Sequence, residues 1–268
     1  MEQNNTNPSK AVDNFGTYIL KKANGMTLID DCYNFSDVRK LIIPEYISDV
    51  QLLINNEFPN LNSIEISPDN PFFESKSNAI FKRNTNTLIF GCGSTIVPFG
   101  TKEIDQMAFY KAFVSKKDNF VVPNSVSKIG VNAFSACHGL SSISLSSKLV
   151  NLEVGAFINC QNLKEIKIPV GIKHLKSLTF YGCTFLSSID LPEGLLSIEE
   201  NCFLGCISLA KLWIPKTVHH IDKNALPPLT KYIYLESDTE PDGLSKAIKT
   251  SHCKPHIKYG CSKIQIDN

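Results

Sequence analysis

The chain has 268 residues, 43% hydrophobic and 20% charged, which suits one large domain or two small ones and excludes both a disordered and a membrane-like composition. Its 27 basic and 26 acidic residues leave a net charge of +1, so there is no global electrostatic pull toward nucleic acid or an anionic membrane. No apolar run is long enough to span a bilayer.

The N-terminus, "MEQNNTNPSKAVDNFG", lacks a basic region followed by an apolar one, so it does not read as a signal peptide. Residues 1–16 read as a flexible polar leader. Residues 17–30 read as strand, Asn24-Gly25 turn and strand, a hairpin that caps the chain that follows and belongs to an N-terminal cap over 17–37. "VRKLIIP" (38–44) and "LNSIEIS" (61–67) are then in phase at an interval of 23 (67−44). Residues 68–94 break the pattern. Asn78–Phe81 and Thr87–Phe90 read as two strands of an inserted hairpin around "KRNTN", and "GCGS" (91–94) as a tight turn. "TIVPFGTKEI" (95–104) supplies the next strand and turn.

From there the register is strict. Phe134, Phe157, Phe180 and Phe203 recur every 23 residues (157−134, 180−157, 203−180), followed in phase by Cys137, Cys160, Cys183 and Cys206 and by Leu140, Leu163, Leu186 and Leu209. Phe109 precedes Phe134 by 25, so that unit carries two extra residues. A period of this length means a solenoid, whose units bury their apolar faces only by stacking on one another. In L-x-x-I-x-I, alternate residues point inward, as in a strand, and Pro169, Pro192 and Pro215 end it. The A-F-x-x-C-x-x-L half, with apolar residues three apart, predicts a short helical or 3-10 turn. Parallel strands would stack on one face, with Phe, Cys and Leu forming interior columns.

The repeats extend over 38–228. "LTKYIYL" (229–235), placed three residues short of the register of "LAKLWIP" (209–215), a helix in "EPDGLSKAIKTS" and a strand in "KPHIKY" form a C-terminal cap over 229–268. The Cys ladder reads as packing, since free Cys is a small hydrophobe. His252, Cys253, His256 and Cys261 do not have a standard zinc spacing, and a Cys253–Cys261 disulfide is the better alternative for a secreted chain. Adjacent His219 and His220 point to opposite sides of an extended chain. No nucleophile signature or phosphate cradle occurs, so no catalytic residue, metal site or cofactor is assigned.

Over roughly 30–235, and specifically over 104–221, these motifs resemble the BspA-like, or Treponema pallidum type, leucine-rich repeats. The resemblance implies an α/β repeat solenoid of right-handed coils with a parallel β-sheet on one face and no enzyme activity. It also implies a protein-binding, adhesin-like role at the cell surface or secreted; the N-terminus without a signal-peptide pattern and the cysteines read as free thiols support the alternative, an intracellular scaffold in the cytoplasm. On the strand face the outward row reads Glu65, Val121, Ser144, Lys167, Asp190, Trp213 and Ile233, with Glu165 and Lys211 in the row two residues earlier. The candidate binding residues are Trp213, Lys211, Asp190, Lys167, Glu165 and Ile233. Trp213, the only tryptophan, fits a binding hot spot or, alternatively, packing under the C-terminal cap beside Ile233. The partner expected is a protein, bound by a monomer with no membrane span and no affinity for nucleic acid.

Overall fold

The computed structural model describes residues 16–23, 26–28, 35–54, 57–113, 117–249 and 254–263. The Asn24-Gly25 turn, His252 and Cys253 lie outside the described residues. The chain winds as a parallel β-solenoid of about 9 turns.

One column of strands builds the face anticipated from the sequence. Thr17–Ile19, Lys40–Ile43 and Ser63–Ile66 pair in parallel at its N-terminal end. Further along come Phe120–Val121 with Ile143–Ser144, Glu165–Lys167 with Ser188–Asp190, and Lys211–Ile214 with Tyr232–Leu235 and His256–Lys258. The pairing keeps the repeat phase, so that Lys167 lies opposite Asp190. Branched residues at alternate positions fill the interior side: Ile166, Ile168, Leu212, Ile214 and Ile233 are all buried.

A second column was not anticipated. The closing Leu or Ile of each unit belongs to a two-residue strand of its own: Glu103–Ile104, Lys128–Ile129 and Asn151–Leu152 pair in parallel, as do His174–Leu175, Ser197–Ile198 and His220–Ile221. Two residues are too short a stretch for alternation to register in sequence.

The A-F-x-x-C segments are runs of β-turns, which corrects the helical expectation. Ala133, Ser135 and Cys137 donate their N–H groups three residues back, to Gly130, Asn132 and Phe134. The residues between them, Asn132, Phe134 and Ala136, donate instead to Val154, Ala156 and Ile158 of the next coil at 2.8–3.0 Å. A helix satisfies every N–H within itself; here half of them join neighbouring coils. The alternation requires left-handed backbone at two places per coil, seen at Asn132 (φ 54°) and Ala136 (φ 55°) and again at Asn201 and Gly205. Helices among the described residues are confined to the 3-10 turn Phe35–Asp37 and to Gln51–Ile54 and Leu244–Lys249.

The insertion holds three strands, one more than expected. Phe73–Lys76, Ala79–Lys82 and Thr87–Gly91 form an antiparallel meander, and the last continues the second column by pairing in parallel with Glu103–Ile104. It also partitions the core. Ala79, Phe81 and Leu88 face the main hydrophobic core, which runs to Ala247, while Ile80 and Phe90 face a smaller one that begins at Tyr18. Alternation along Ala79–Lys82 gives each core its own wall, and the register shift opposite Ile80 and Phe81 turns Leu88 and Phe90 to different cores in the same way.

Within the main core the Phe column is continuous. Successive rings of Phe109, Phe134, Phe157, Phe180 and Phe203 stack 5.0–5.7 Å apart, within 11° of parallel, and all five are 0% exposed.

Candidate functional site

On the strand face, side chains pointing away from the core are the ones placed to meet a partner. Glu165 and Lys167 are exposed and flank buried Ile166. Lys167 Nζ lies 3.4 Å from Asp190 Oδ2 on the next strand, and its side chain remains 82% exposed. Lys211 is exposed at the start of its strand. Asn119, Ser142, Ser144, Glu165, Lys167 and Ser188 line a shallow polar groove of about 240 Å³ that crosses four coils. Beside it, Leu145, Ser147, Ile168, Pro169 and Val170 line a more apolar groove of about 340 Å³ at the strand ends. Lys167, Asp190, Glu165 and Lys211 therefore lie on one continuous face.

Two of the anticipated residues, Ile233 and Trp213, are buried. Ile233 is 0% exposed. Leu212 pairs with Ile233 and Trp213 with Tyr234, an offset of 21 and not the 20 that aligning "LAKLWIP" with "LTKYIYL" implies. A slip of one residue turns every side chain to the opposite face. The outward residues are therefore Tyr232 and Tyr234.

Trp213 does face outward, but only 8% of it is exposed. Its indole N–H donates to the Cys261 carbonyl at 3.2 Å, and Lys263 Nζ lies 5.0 Å from the ring centroid. The C-terminal segment covers it, so packing is the position the structure gives it, under residues 261–263 rather than beside Ile233.

Sequence reasoning missed a second cluster on the same face. Tyr232 stacks against Tyr234 at 6.2 Å and His256 at 5.6 Å, and Lys258 Nζ sits within 6.0 Å of both tyrosine rings. Correct pairing of "KYIYLE" with "KLWIP" would have revealed it. It also missed Ile96 and Phe99, which are 75% and 86% exposed. Ile96 precedes Val121 by 25, the same interval that separates Phe109 from Phe134, so Ile96 belongs to the outward row.

The cysteine ladder is interior. Cys137, Cys160, Cys183 and Cys206 are fully buried, and each thiol donates to the carbonyl of a Phe on an adjacent coil (Phe109, Phe134, Phe157 and Phe180) at 2.9–3.1 Å. Burial pushes the Cys160, Cys183 and Cys202 thiols well up, and Cys206 to about 12. A thiol held protonated is neither a nucleophile nor a ready metal ligand. Cys92 is likewise buried, its N–H donating to Thr95 Oγ1 at 2.9 Å in the turn after the insertion. The seven described cysteines are unbridged, Cys261 among them. Among the described residues no group of three His, Cys, Asp or Glu side chains is placed to hold a metal, and no helix is long and apolar enough to cross a membrane. Both His219 and His220 are exposed, and His220 pairs with Asp222 at 3.0 Å.

A solenoid with a regular, polar, side-chain-bearing strand face belongs to the class of repeat proteins that present a surface to other proteins. Residues 102–229 match the BspA type leucine rich repeat region in six copies, and this stretch is a BspA-type leucine-rich repeat array. No curated protein matches the sequence significantly. Among solved structures, the pneumococcal vaccine antigen PcpA superposes with a TM-score of 0.62 at 20% identity, covering 84% of this chain and 56% of that one. The chain thus spans little more than half the length of that antigen. A leucine rich cell surface protein from Faecalibacterium prausnitzii (TM-score 0.46, 23% identity, 64% of this chain and 56% of that one) is also similar. So is the T. pallidum leucine rich repeat protein (0.38, 20%, 72% and 81%).

Proposed function

We propose that this protein is a non-enzymatic binding module, adhesin-like and displayed at the cell surface or secreted, that recognises a protein partner through its strand face. The observation that carries this reading is the groove across four coils, whose polar and charged lining lies outside the apolar core and opens to solvent. Glu165, Lys167 and Asp190 in the groove and Lys211 on the next coil supply alternating charge along this face, which favours a partner with the complementary order. Tyr232 and Tyr234 extend the same face with aromatic area of the kind enriched in hot spots. Placement outside the cell draws its support from the repeat family and from the vaccine antigen that shares the fold.

The test is binding of the immobilised protein to a panel of extracellular-matrix and cell-surface proteins. Lys167→Glu with Lys211→Glu should weaken any genuine partner by about tenfold or more, equivalent to about 1.4 kcal/mol. Binding indifferent to both substitutions, or none across the panel, would refute the reading. A second reading, an intracellular scaffold, is favoured by the unbridged state of all seven described cysteines. Titration of protein taken from its native source separates the two: nine free thiols favour the scaffold, and fewer reject it.

A further inference from the structure

Asp190 and Trp213 stand 23 residues apart, at the same outward phase of neighbouring coils, and share one visitor. The Lys263 ammonium pairs with Asp190 Oδ1, lies 3.5 Å from the Leu191 carbonyl and stands 5.0 Å from the Trp213 ring centroid. A carboxylate, a carbonyl oxygen and an electron-rich ring face are the groups that recognise an alkylammonium: one supplies charge, one accepts a hydrogen bond, and one offers its quadrupole.

The site does not depend on its visitor. Asp190 is set by the repeat, opposite Lys167. Trp213 is set by the pairing of its strand with Tyr232–Leu235, and its N–H is engaged by the Cys261 carbonyl. The segment ahead of Lys263 has anchors of its own. Cys261 N–H donates to the Leu235 carbonyl at 3.0 Å, and the Tyr259 hydroxyl donates to Glu240 at 2.6 Å. The Lys263 side chain therefore swings from a fixed base. It is 45% exposed where it meets Asp190, itself 34% exposed, so the site opens to solvent. Exposed ion pairs of this kind are weak and exchangeable. Lys167 lies 3.4 Å from the other carboxylate oxygen, and the parallel pairing of their strands fixes the position of Asp190 on the face.

We infer that Asp190, the Leu191 carbonyl and Trp213 form an ammonium-binding site on the strand face, occupied in cis by Lys263 and open in trans to a lysine side chain of a protein partner. Lys263 is then an internal competitor that sets the threshold for the partner's lysine. As a biological statement this rests on the strand face being the binding surface. The experiment below reads the ammonium site alone, so a negative result leaves the wider reading intact, and a failed partner search leaves the site measured.

The chain's one tryptophan is the reporter. Nα-acetyl-lysine amide is titrated into the wild type and into Lys263→Met, which keeps the apolar stem and removes the charge. Trp213 fluorescence and its indole N–H resonance are followed at matched ionic strength, with Nα,Nε-diacetyl-lysine amide as control. Lys263→Met should respond saturably to the amine and not to the control. The wild type should require about tenfold more amine, because a tethered competitor acts at an effective concentration in the millimolar range. Adding Asp190→Asn to Lys263→Met should abolish the response. If Lys263→Met does not fold, Asp190→Asn alone serves. It should shift the Trp213 resonance as Lys263 is released and remove the response to high amine seen in the wild type. Equal responses of wild type and Lys263→Met, an equal response to the diacetylated control, or indifference to Asp190→Asn would each overturn the inference.

Discussion

Phe157→Ala puts the stacking account at risk. Its ring is 0% exposed, with Phe134 at 5.4 Å on one side and Phe180 at 5.7 Å on the other. The lost transfer free energy of the ring is about 1.5–3 kcal/mol. A coil fixed by inter-coil hydrogen bonds on both sides cannot collapse into the void, so the cavity and the two lost ring pairs raise the cost to about 3–5 kcal/mol. Phe203 has a ring neighbour on one side only, Phe180 at 5.6 Å, and the next residue in phase is Leu226. Phe203→Ala should therefore cost less by about one aromatic pair, 0.5–1.5 kcal/mol. Phe185 is 58% exposed, and its truncation should stay within about 0.5 kcal/mol. Urea unfolding followed by far-UV circular dichroism, for the whole array, and by Trp213 fluorescence, for the C-terminal coils, gives all three values. A Phe157→Ala loss below about 1.5 kcal/mol, or one no larger than that of Phe185→Ala, would refute the column as a principal source of stability.

Three other outcomes are expected. Leu178 has φ 61° at the phase where Asn132, Gly155, Asn201 and Asn224 also sit in the left-handed region. Leu178→Asn should raise Tm by about 1–3 °C, since relief of about 1 kcal/mol of strain outweighs the partial loss of a half-buried side chain; a lower Tm would contradict this. Burial raises the thiol pKa of Cys160, Cys183, Cys202 and Cys206 above that of the unfolded chain, to about 12 at Cys206. The native state then holds protons that the unfolded state gives up, so stability is full below about pH 9 and falls as pH rises toward 12, by about 1.4 kcal/mol per pH unit per thiol. Urea midpoints measured across that window should fall less steeply in Cys206→Ala, and an unchanged slope would count against the burial argument. A Cβ added at Gly91 would lie 2.2 Å from a ring carbon of Phe109, the first ring of the column. Gly91→Ala should cost about 1–3 kcal/mol by thermal unfolding, and a neutral result would show that the insertion can shift away from the column.

The solenoid and its columns were legible because each rests on a repeated side chain. Phe157, Cys160 and Leu163 recur in phase, and all three are fully buried. What escaped rests on backbone. The paired strands at Leu152 or Ile198 are two residues long and carry no alternation. The turns were mistaken for helix because their apolar spacing of three matches a helical face, while the deciding signal is conformational: Asn or Gly at two phases, as at Gly155 and Asn159 or Asn201 and Gly205. Such residues favour left-handed backbone, which an α-helix interior excludes.

The same distinction explains the errors in the candidate site. Glu165, Lys167, Asp190 and Lys211 point away from the core, as the period requires, because the interval holds through Lys211–Ile214. Ile233 does not, because the interval shortens after Pro215, and one residue of error exchanges a core isoleucine for Tyr232 and Tyr234. Trp213 is the instructive case. Its strand position follows from the sequence, but its burial depends on Cys261 and Lys263, 48 and 50 residues downstream and outside the repeat. Periodicity specifies which way a side chain points; it carries no information about a non-repeating segment that comes to lie over it. Where a repeat protein covers part of its own strand face, the cover is therefore to be sought among residues the period does not explain, and here that residue is Lys263, paired with Asp190.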